Sequence, residues 1–238
     1  SNSKLRGKKM KVVILAGGLG TRISEYTKTI PKPMIKIGKV PIIERIIKYY
    51  NKYRFNEFLI AGGYKKHILQ SHFKKRLKNL NIKVIDTGEK TMTGGRILRL
   101  KKFIGKETFM LTYGDGLSNV NLRKLLKFHK ISKNFVTLTA VRPPARFGGI
   151  KISRKKVKYF KEKSSLDEGW INGGFFVMNP SVFKFLKNDK TVLERNPLEQ
   201  ICKINKLGAY RHNDFWQCMD TLRDKEILET YFKKKKKI

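Results

Sequence analysis

Directly after an apolar, strand-like run, the chain reads Leu15-Ala16-Gly17-Gly18-Leu19-Gly20-Thr21-Arg22. Three glycines let backbone N–H groups approach phosphate oxygens with no Cβ in the way, and Arg22 can add a charged fork. The expected phosphate contacts are Leu15, Ala16, Gly17, Gly18, Gly20, Thr21 and Arg22. Read alone, such a turn is equally a tight strand-to-helix connection. It lacks the Gly-Lys-Ser/Thr ending of a Walker loop and is no clean dinucleotide fingerprint. A little further on, Pro31-Lys32-Pro33-Met34 sets a lysine between two prolines that fix the local backbone and give a flexible side chain a defined root. Phosphoryl and nucleotidyl transfer need little covalent chemistry from a protein, so a pre-positioned cation that meets charge building on phosphorus is the expected catalytic device. Lys32 is the candidate for it, with Arg22 beside it; an exposed lysine in a proline turn is the alternative reading.

Asp115 stands between Gly114 and Gly116, just past a strand-like run, where a doubly wound sheet presents its ligands. Asp220, in Met219-Asp220-Thr221, is far away in sequence but able to converge on it. Two carboxylates suit Mg²⁺, which prefers oxygen ligands and bridges to substrate phosphates. Each is also readable as a turn or N-cap aspartate, Asp220 especially, because Thr221-Leu222-Arg223 follows it. The four histidines, His67, His72, His129 and His212, are dispersed and suggest no zinc site. Asn172, in Ile171-Asn172-Gly173-Gly174, carries both a donor and an acceptor, or is a turn residue before a strand.

In combination these stretches resemble the sugar-1-phosphate nucleotidyltransferases. Leu15 to Arg22 with Pro31-Lys32-Pro33-Met34 carries the family signature. Asp86-Thr87-Gly88, Met92-Thr93-Gly94-Gly95-Arg96, Thr112-Tyr113-Gly114-Asp115-Gly116, Ile171 to Val177 and Phe215 to Asp224 look like the branch that joins CTP to glucose 1-phosphate. The resemblance runs from Met10 nearly to the end. It implies a nucleotide-diphospho-sugar transferase fold, CTP and glucose 1-phosphate as substrates, and Mg²⁺ held by Asp115 and Asp220. It also implies that Tyr64, Lys65, Thr93, Gly94 and Gly114 complete the nucleotide site. Tyr113, Glu162, Lys163, Asn172 and Gly173 would hold the sugar phosphate, with Glu162 on hydroxyls and Lys163 on the phosphate. Two departures stand out: Ser164 follows Glu162-Lys163 where the family usually has proline, and only a short basic link, Lys74 to Asn81, replaces an insertion that in this branch looks nucleotide-covering and subunit-contacting. A homo-oligomer is therefore left open.

These residues need a frame. The first half alternates apolar runs with helical periodicity, predicting strands over Lys11–Leu15, Phe58–Ala61, Lys83–Ile85, Phe109–Thr112 and Val136–Val141. Between them, helices are expected over Ile42–Tyr53, Lys65–Arg76, Gly94–Phe103 and Leu122–His129. The fold class that follows is α/β, a doubly wound, mostly parallel, Rossmann-like sheet flanked by helices. Beyond Pro143, shorter pieces at Gly149–Ile152, Lys156–Phe160 and Gly173–Met178, with a helix over Pro197–Lys206, are expected to form a smaller C-terminal β/α sugar-binding region beside the sheet. Residues 10–232 read as one domain, between a polar, basic leader, 1–9, and a basic tail, 233–238. No apolar run approaches a bilayer span, so no membrane partner is expected. Cys202 and Cys218 show no C-x-x-C spacing, which with the absence of a secretory signal fits a reducing compartment, the cytoplasm. The 55 Lys plus Arg against 18 Asp plus Glu, a formal charge of +37, raises nucleic acid as a partner. The lysines are scattered, however, and lack the interleaved aromatics of a single-strand platform, so nucleic acid ranks below an enzyme.

Overall fold

The computed structural model describes residues 10–143, 149–153, 156–161 and 169–235. Its first strand, β1 (Lys11–Leu15), is buried on both faces: Val12 and Ile14 enter one core, Val13 and Leu15 another. A strand covered on both sides must be an unbroken apolar run, which is why it stands out in the sequence. The chain continues through α1 (Ser24–Thr27), a small hairpin β2–β3 (Lys36–Ile37, Val40–Pro41) and α2 (Ile42–Lys52). Next come β4 (Glu57–Gly62), α3 (Lys66–Lys75), β5 (Asn81–Asp86), α4 (Thr93–Arg99), α5 (Lys101–Ile104) and β6 (Phe109–Tyr113). After β7 (Gly116–Ser118), α6 (Leu122–Ser132) and β8 (Val136–Val141) follow a separate hairpin β9–β10 (Gly149–Ser153, Lys156–Lys161), β11 (Ile171–Asn172) and β12 (Phe176–Met178). The last elements are α7 (Asn196–Lys203), β13 (Leu207–His212), β14 (Trp216–Cys218) and α8 (Leu222–Lys235).

The main sheet runs β11-β8-β12-β6-β1-β4-β5, with β13 also paired to β8. Pairs β6–β1, β1–β4, β4–β5 and β8–β13 are parallel, while β12 and β11 run antiparallel to their neighbours. Helices cover both faces. On one, α2 contributes Ile42, Ile43, Ile46, Ile47 and Tyr50 at helical spacing, joined by Leu69 of α3, Leu122, Leu125 and Leu126 of α6, and Leu228 of α8. On the other lie Ile97 of α4, Ile104 of α5 and Leu198 and Ile201 of α7. The expected mostly parallel sheet flanked by helices is what the structure shows.

Three expectations change in detail, and one strand was not expected. The piece around Gly173–Met178 was expected beside the sheet; Phe176–Met178 instead enters it between β6 and β8, because three consecutive apolar residues need cover on both faces. The helix expected over Gly94–Phe103 is two, separated at Leu100. Strand β13 lies where sequence pattern offers only Leu207-Gly208-Ala209 and then polar residues. Finally, α8 runs on to Lys235, into the lysine run read as a tail. The short link after α3 closes as a tight turn, Leu80 N–H donating to Leu77 O at 3.0 Å.

One buried carboxylate ties α2 to α3. Glu44, 1% exposed, accepts from Lys48 at 2.8 Å, Arg76 at 3.0 Å and His72 at 3.1 Å. Burial raises a carboxyl pKa, but the hydrogen bonds from Arg76 and Lys48 outweigh it and lower Glu44 to about 2. The folded value lies below the ordinary 4.5, so the contribution to stability is complete above that pH and is lost as pH falls towards 2. Because Arg76 and Lys48 are half-exposed, it amounts to at most about 3 kcal/mol. Glu44→Gln should therefore unfold at lower urea than the unsubstituted protein at neutral pH, and urea titrations should show the two midpoints converging between pH 4.5 and 2.

Candidate active site

The carboxyl ends of β1 and β6 open into a cleft of about 400 Å³. Leu15 to Gly18, Gly20 to Arg22, Lys32, Thr93 and Gly114 all line it, as do Tyr113 and Asp115. At Gly20 the backbone has φ 65°, a left-handed conformation that favours glycine, and it turns the chain into a short 3₁₀ segment, Thr21–Ile23. Thr27 Oγ1 closes this turn by donating to Gly20 O at 3.0 Å. Pro31 leads into a second 3₁₀ turn, Lys32–Met34, so the two prolines root the lysine as expected.

Lys32 is the hub. Its Nζ donates to Asp115 Oδ2 at 2.5 Å and Asp220 Oδ1 at 2.6 Å, and its side chain is only 12% exposed. Burial works against the ammonium, but Asp115 and Asp220 together overcome it and raise the Lys32 pKa above the ordinary lysine value. Arg22 Nη1 pairs with the other oxygen of Asp220 at 3.0 Å while remaining open to solvent. What joins carboxylates so distant in sequence is a ladder of two short strands: β14 pairs with β7, and Met219 N–H donates to Asp115 O at 2.8 Å.

The alternative reading of Asp220 as a helix cap is settled by its neighbours. Thr221 and Asp224 cap α8 between them: Thr221 N–H donates to Asp224 Oδ2 at 2.9 Å and Asp224 N–H to Thr221 Oγ1 at 3.3 Å. Asp224 is 3% exposed; its Oδ2 also accepts from the backbone N–H of Asp220 at 3.0 Å, and its Oδ1 from Gln217 Nε2 at 3.1 Å. The Asp220 side chain is left to face Lys32 and Arg22. Two carboxylates already gathered around one cation, the lysine ammonium, form an all-oxygen donor pair that fits Mg²⁺ when substrate phosphates and water supply the remaining ligands. Cys218 lies close by, but burial first, then Asp220 and Asp115, push its thiol up to about 12, against the thiolate form.

Other expected residues are placed differently. Tyr64 and Lys65 turn away from the cleft, the tyrosine hydroxyl donating to Thr27 O at 2.9 Å and the lysine to Lys28 O, so they brace the segment behind the glycine turn. Gly94 lies against Thr191, in the segment that packs on α4. Gly173 is pinned between Thr139 O, which accepts its N–H at 2.8 Å, and Trp216 Nε1, which donates to its carbonyl at 2.8 Å. Asn172 reaches Tyr113, its Nδ2 donating to the tyrosine oxygen at 3.2 Å. Glu162 and Lys163 lie outside the described residues.

The resemblance placed the segment from Thr87 to Arg96 around the base, but the sequence did not single out Arg96 itself. It is 4% exposed and lines the cleft, donating to Gly17 O at 2.9 Å, Gly88 O at 2.6 Å and Thr87 Oγ1 at 2.8 Å. These acceptors are neutral, and burial, followed by repulsion from Arg99, lowers the Arg96 pKa. A Cβ on Gly17 would stand 2.1 Å from the guanidinium, so the second role of that glycine is to admit Arg96 beneath the turn. The only sequence signal was its place at the end of Met92-Thr93-Gly94-Gly95-Arg96.

Residues 11–221 match the nucleotidyl transferase family. The chain is 41% identical to glucose-1-phosphate cytidylyltransferase of Salmonella typhi over 250 residues, covering 95% of this chain and 97% of the relative. That alignment is longer than the 238-residue chain itself, so the relative carries positions that this chain lacks. It is 32% identical to D-glycero-alpha-D-manno-heptose 1-phosphate guanylyltransferase of Campylobacter jejuni over 197 residues, 82% of this chain and 86% of the relative. Among solved structures, UDP-glucose pyrophosphorylase complexed with UDP-glucose superposes with a TM-score of 0.75 at 19% identity, covering 95% of this chain and 99% of that one, which shows the shared fold.

Proposed function

The chain belongs to the nucleotidyl transferase family, and from that membership we propose that it makes CDP-glucose and pyrophosphate from CTP and α-D-glucose 1-phosphate. The observation that carries the reading is Lys32 held between Asp115 and Asp220 at the mouth of a glycine-lined cleft. A phosphate oxygen of the sugar attacks the α-phosphorus of CTP in line, and the bond to the oxygen bridging to the β-phosphorus breaks, its electron pair leaving with pyrophosphate. No general base is needed, because the attacking oxygen is already ionised at neutral pH.

Backbone N–H groups from Gly17 to Thr21, with Arg22, hold the β- and γ-phosphates. Lys32, rooted between Pro31 and Pro33, meets the negative charge that builds on the transferring phosphorus once Asp115 and Asp220 turn from its ammonium to the metal. Arg96, beneath the turn, adds positive potential and fixes the Gly17 carbonyl. Thr93 and Gly114 flank the nucleotide, and Tyr113 and Asn172, with Glu162 and Lys163, align the sugar phosphate, Gly173 fixing the backbone beside Asn172. Nucleotidyl transfer in this family generally uses a divalent cation; we assign Mg²⁺, held by Asp115 and Asp220, where it would neutralise phosphate charge. Residues 10–232 act as one catalytic unit. No helix among the described residues is long and apolar enough to cross a membrane; the cytoplasm is the compartment proposed, and the small substrates, not nucleic acid, are the partners proposed.

Incubating the protein and Mg²⁺ with each of CTP, UTP, dTTP and GTP, against glucose 1-phosphate and a heptose 1-phosphate, and following pyrophosphate release tests this assignment. The highest kcat/KM is expected for CTP with glucose 1-phosphate; a clear preference for another pair would overturn it. The buried cap gives a second expectation. Asp224→Asn disturbs the backbone that carries Asp220 without touching substrate, and should lower kcat/KM by about 10- to 100-fold and raise the Mg²⁺ concentration for half-maximal rate. Steady-state rates over a Mg²⁺ titration check both.

A further inference from the structure

Glu194 lies outside the cleft lining, yet its carboxylate touches both walls of it. Thr93 Oγ1 donates to Glu194 Oε2 at 2.6 Å, and Tyr113 Oη donates to Glu194 Oε1 at 2.7 Å. The segment carrying Glu194 rides on α4: Met92 N–H donates to Asp189 O at 2.8 Å, Gly95 N–H donates to Thr191 O at 3.1 Å, and Arg99 makes a forked pair with the Asp189 carboxylate. Thr93 belongs to the nucleotide wall. Tyr113 continues towards the sugar wall through Asn172.

The chemistry of the groups settles the direction of every bond in this chain. A carboxylate oxygen only accepts, so both hydroxyls must give it their protons. Thr93 Oγ1 is then an acceptor, and Leu193 N–H donates to it at 2.9 Å. The Tyr113 oxygen is likewise an acceptor, filled by Asn172 Nδ2–H at 3.2 Å. That orients the amide so that Asn172 Oδ1 accepts from Gly174 N–H at 2.9 Å.

We propose that Glu194 is a positioning residue for the sugar phosphate: by accepting from both Thr93 and Tyr113 it sets the polarity of the Tyr113–Asn172 pair and leaves the second N–H of Asn172 as a donor to a sugar hydroxyl. This deepens the function proposed above and rests on it. Glutamine at the same position has one acceptor and one donor. It can satisfy only one of the two hydroxyls as glutamate does, and a glutamine N–H facing Tyr113 turns the tyrosine proton towards Asn172. The amide must then flip and lose Gly174, or leave the tyrosine proton unpaired.

Glu194→Gln should raise KM for glucose 1-phosphate by about tenfold, with kcat and KM for CTP within about twofold of the unsubstituted protein. Tyr113→Phe removes the hydroxyl through which Glu194 acts on Asn172, so adding Glu194→Gln to it should raise KM for glucose 1-phosphate no further. A brace for the fold alone would weaken both substrates together and give additive losses. Normal turnover by the unsubstituted protein with an unmoved sugar-phosphate KM in Glu194→Gln, or additive losses in the double variant, overturns the role of Glu194 alone. An unsubstituted protein that turns over no sugar phosphate with any triphosphate overturns both this role and the proposed function.

Discussion

Replacing Lys32 by alanine is expected to lower kcat by about 10²-fold or more while KM for either substrate moves far less, the pattern of a group whose interaction strengthens in the transition state. The side chain is largely buried, rooted between Pro31 and Pro33, and held at 2.5 and 2.6 Å by two carboxylates. Its position is therefore set before substrate arrives, and its raised pKa keeps it an ammonium throughout the physiological range. Alanine also leaves Asp115 and Asp220 facing each other without the cation between them, so some loss of stability should accompany the loss of rate. Lys32→Arg keeps the charge but offers a planar fork in place of a compact point charge, and should recover little activity. Steady-state kinetics for both substrates, with thermal melts of each variant, separate the effects; an unchanged kcat in Lys32→Ala would remove Lys32 from the mechanism.

Asp220→Asn should cost about 10²- to 10³-fold in kcat/KM, the several kcal/mol expected when a metal site loses one of its charged ligands. The variant keeps the shape of the side chain and changes only its charge. Arg22 and Lys32 both lose their ionic partner on that side, so the positive face of the cleft is left partly uncompensated. The rate should recover in part at high Mg²⁺, because weakened ligation is a binding defect that concentration offsets. Chelating the metal should silence the unsubstituted protein and the variant alike. Titrating Mg²⁺ against rate for both proteins checks this; superimposable curves would show that Asp220 holds no metal.

The glycine turn and the lysine between prolines were visible in the sequence as contiguous segments, but each alone was equally a tight turn or an exposed lysine, and only their combination with the other motifs pointed to a phosphate site. Strand β1 and helix α2 were legible because both bury continuous or regularly spaced apolar residues. Convergence of the carboxylates was not readable from pattern. Asp115 and Asp220 lie 83 and 188 residues from Lys32, and they meet through two three-residue strands, too short to show any periodicity. Family resemblance supplied that pairing, and the structure supplies its cause, the β7–β14 ladder with the Thr221–Asp224 cap.

Tyr64 and Lys65 went the other way. The family resemblance put them in the nucleotide site, but here the tyrosine hydroxyl and the lysine ammonium are bonded to the nearby carbonyls of Thr27 and Lys28. Arg96 and Glu194 escaped notice because their importance lies in which acceptors and donors surround them, which depends on how the segments around residues 88 and 190 fold against α4. Strand β12 illustrates the same limit: Phe176, Val177 and Met178 declare that they are buried, not between which neighbours.

The central claim is that a phosphate oxygen of glucose 1-phosphate attacks the α-phosphorus of CTP in this cleft. It is tested most directly by supplying glucose 1-phosphate labelled with ¹⁸O in all its non-bridging phosphate oxygens, together with CTP and Mg²⁺, and weighing both products by mass spectrometry. In-line attack by the sugar phosphate gives CDP-glucose carrying the full label and pyrophosphate carrying none. Labelled pyrophosphate, unlabelled CDP-glucose, or no nucleotide sugar at all would contradict it.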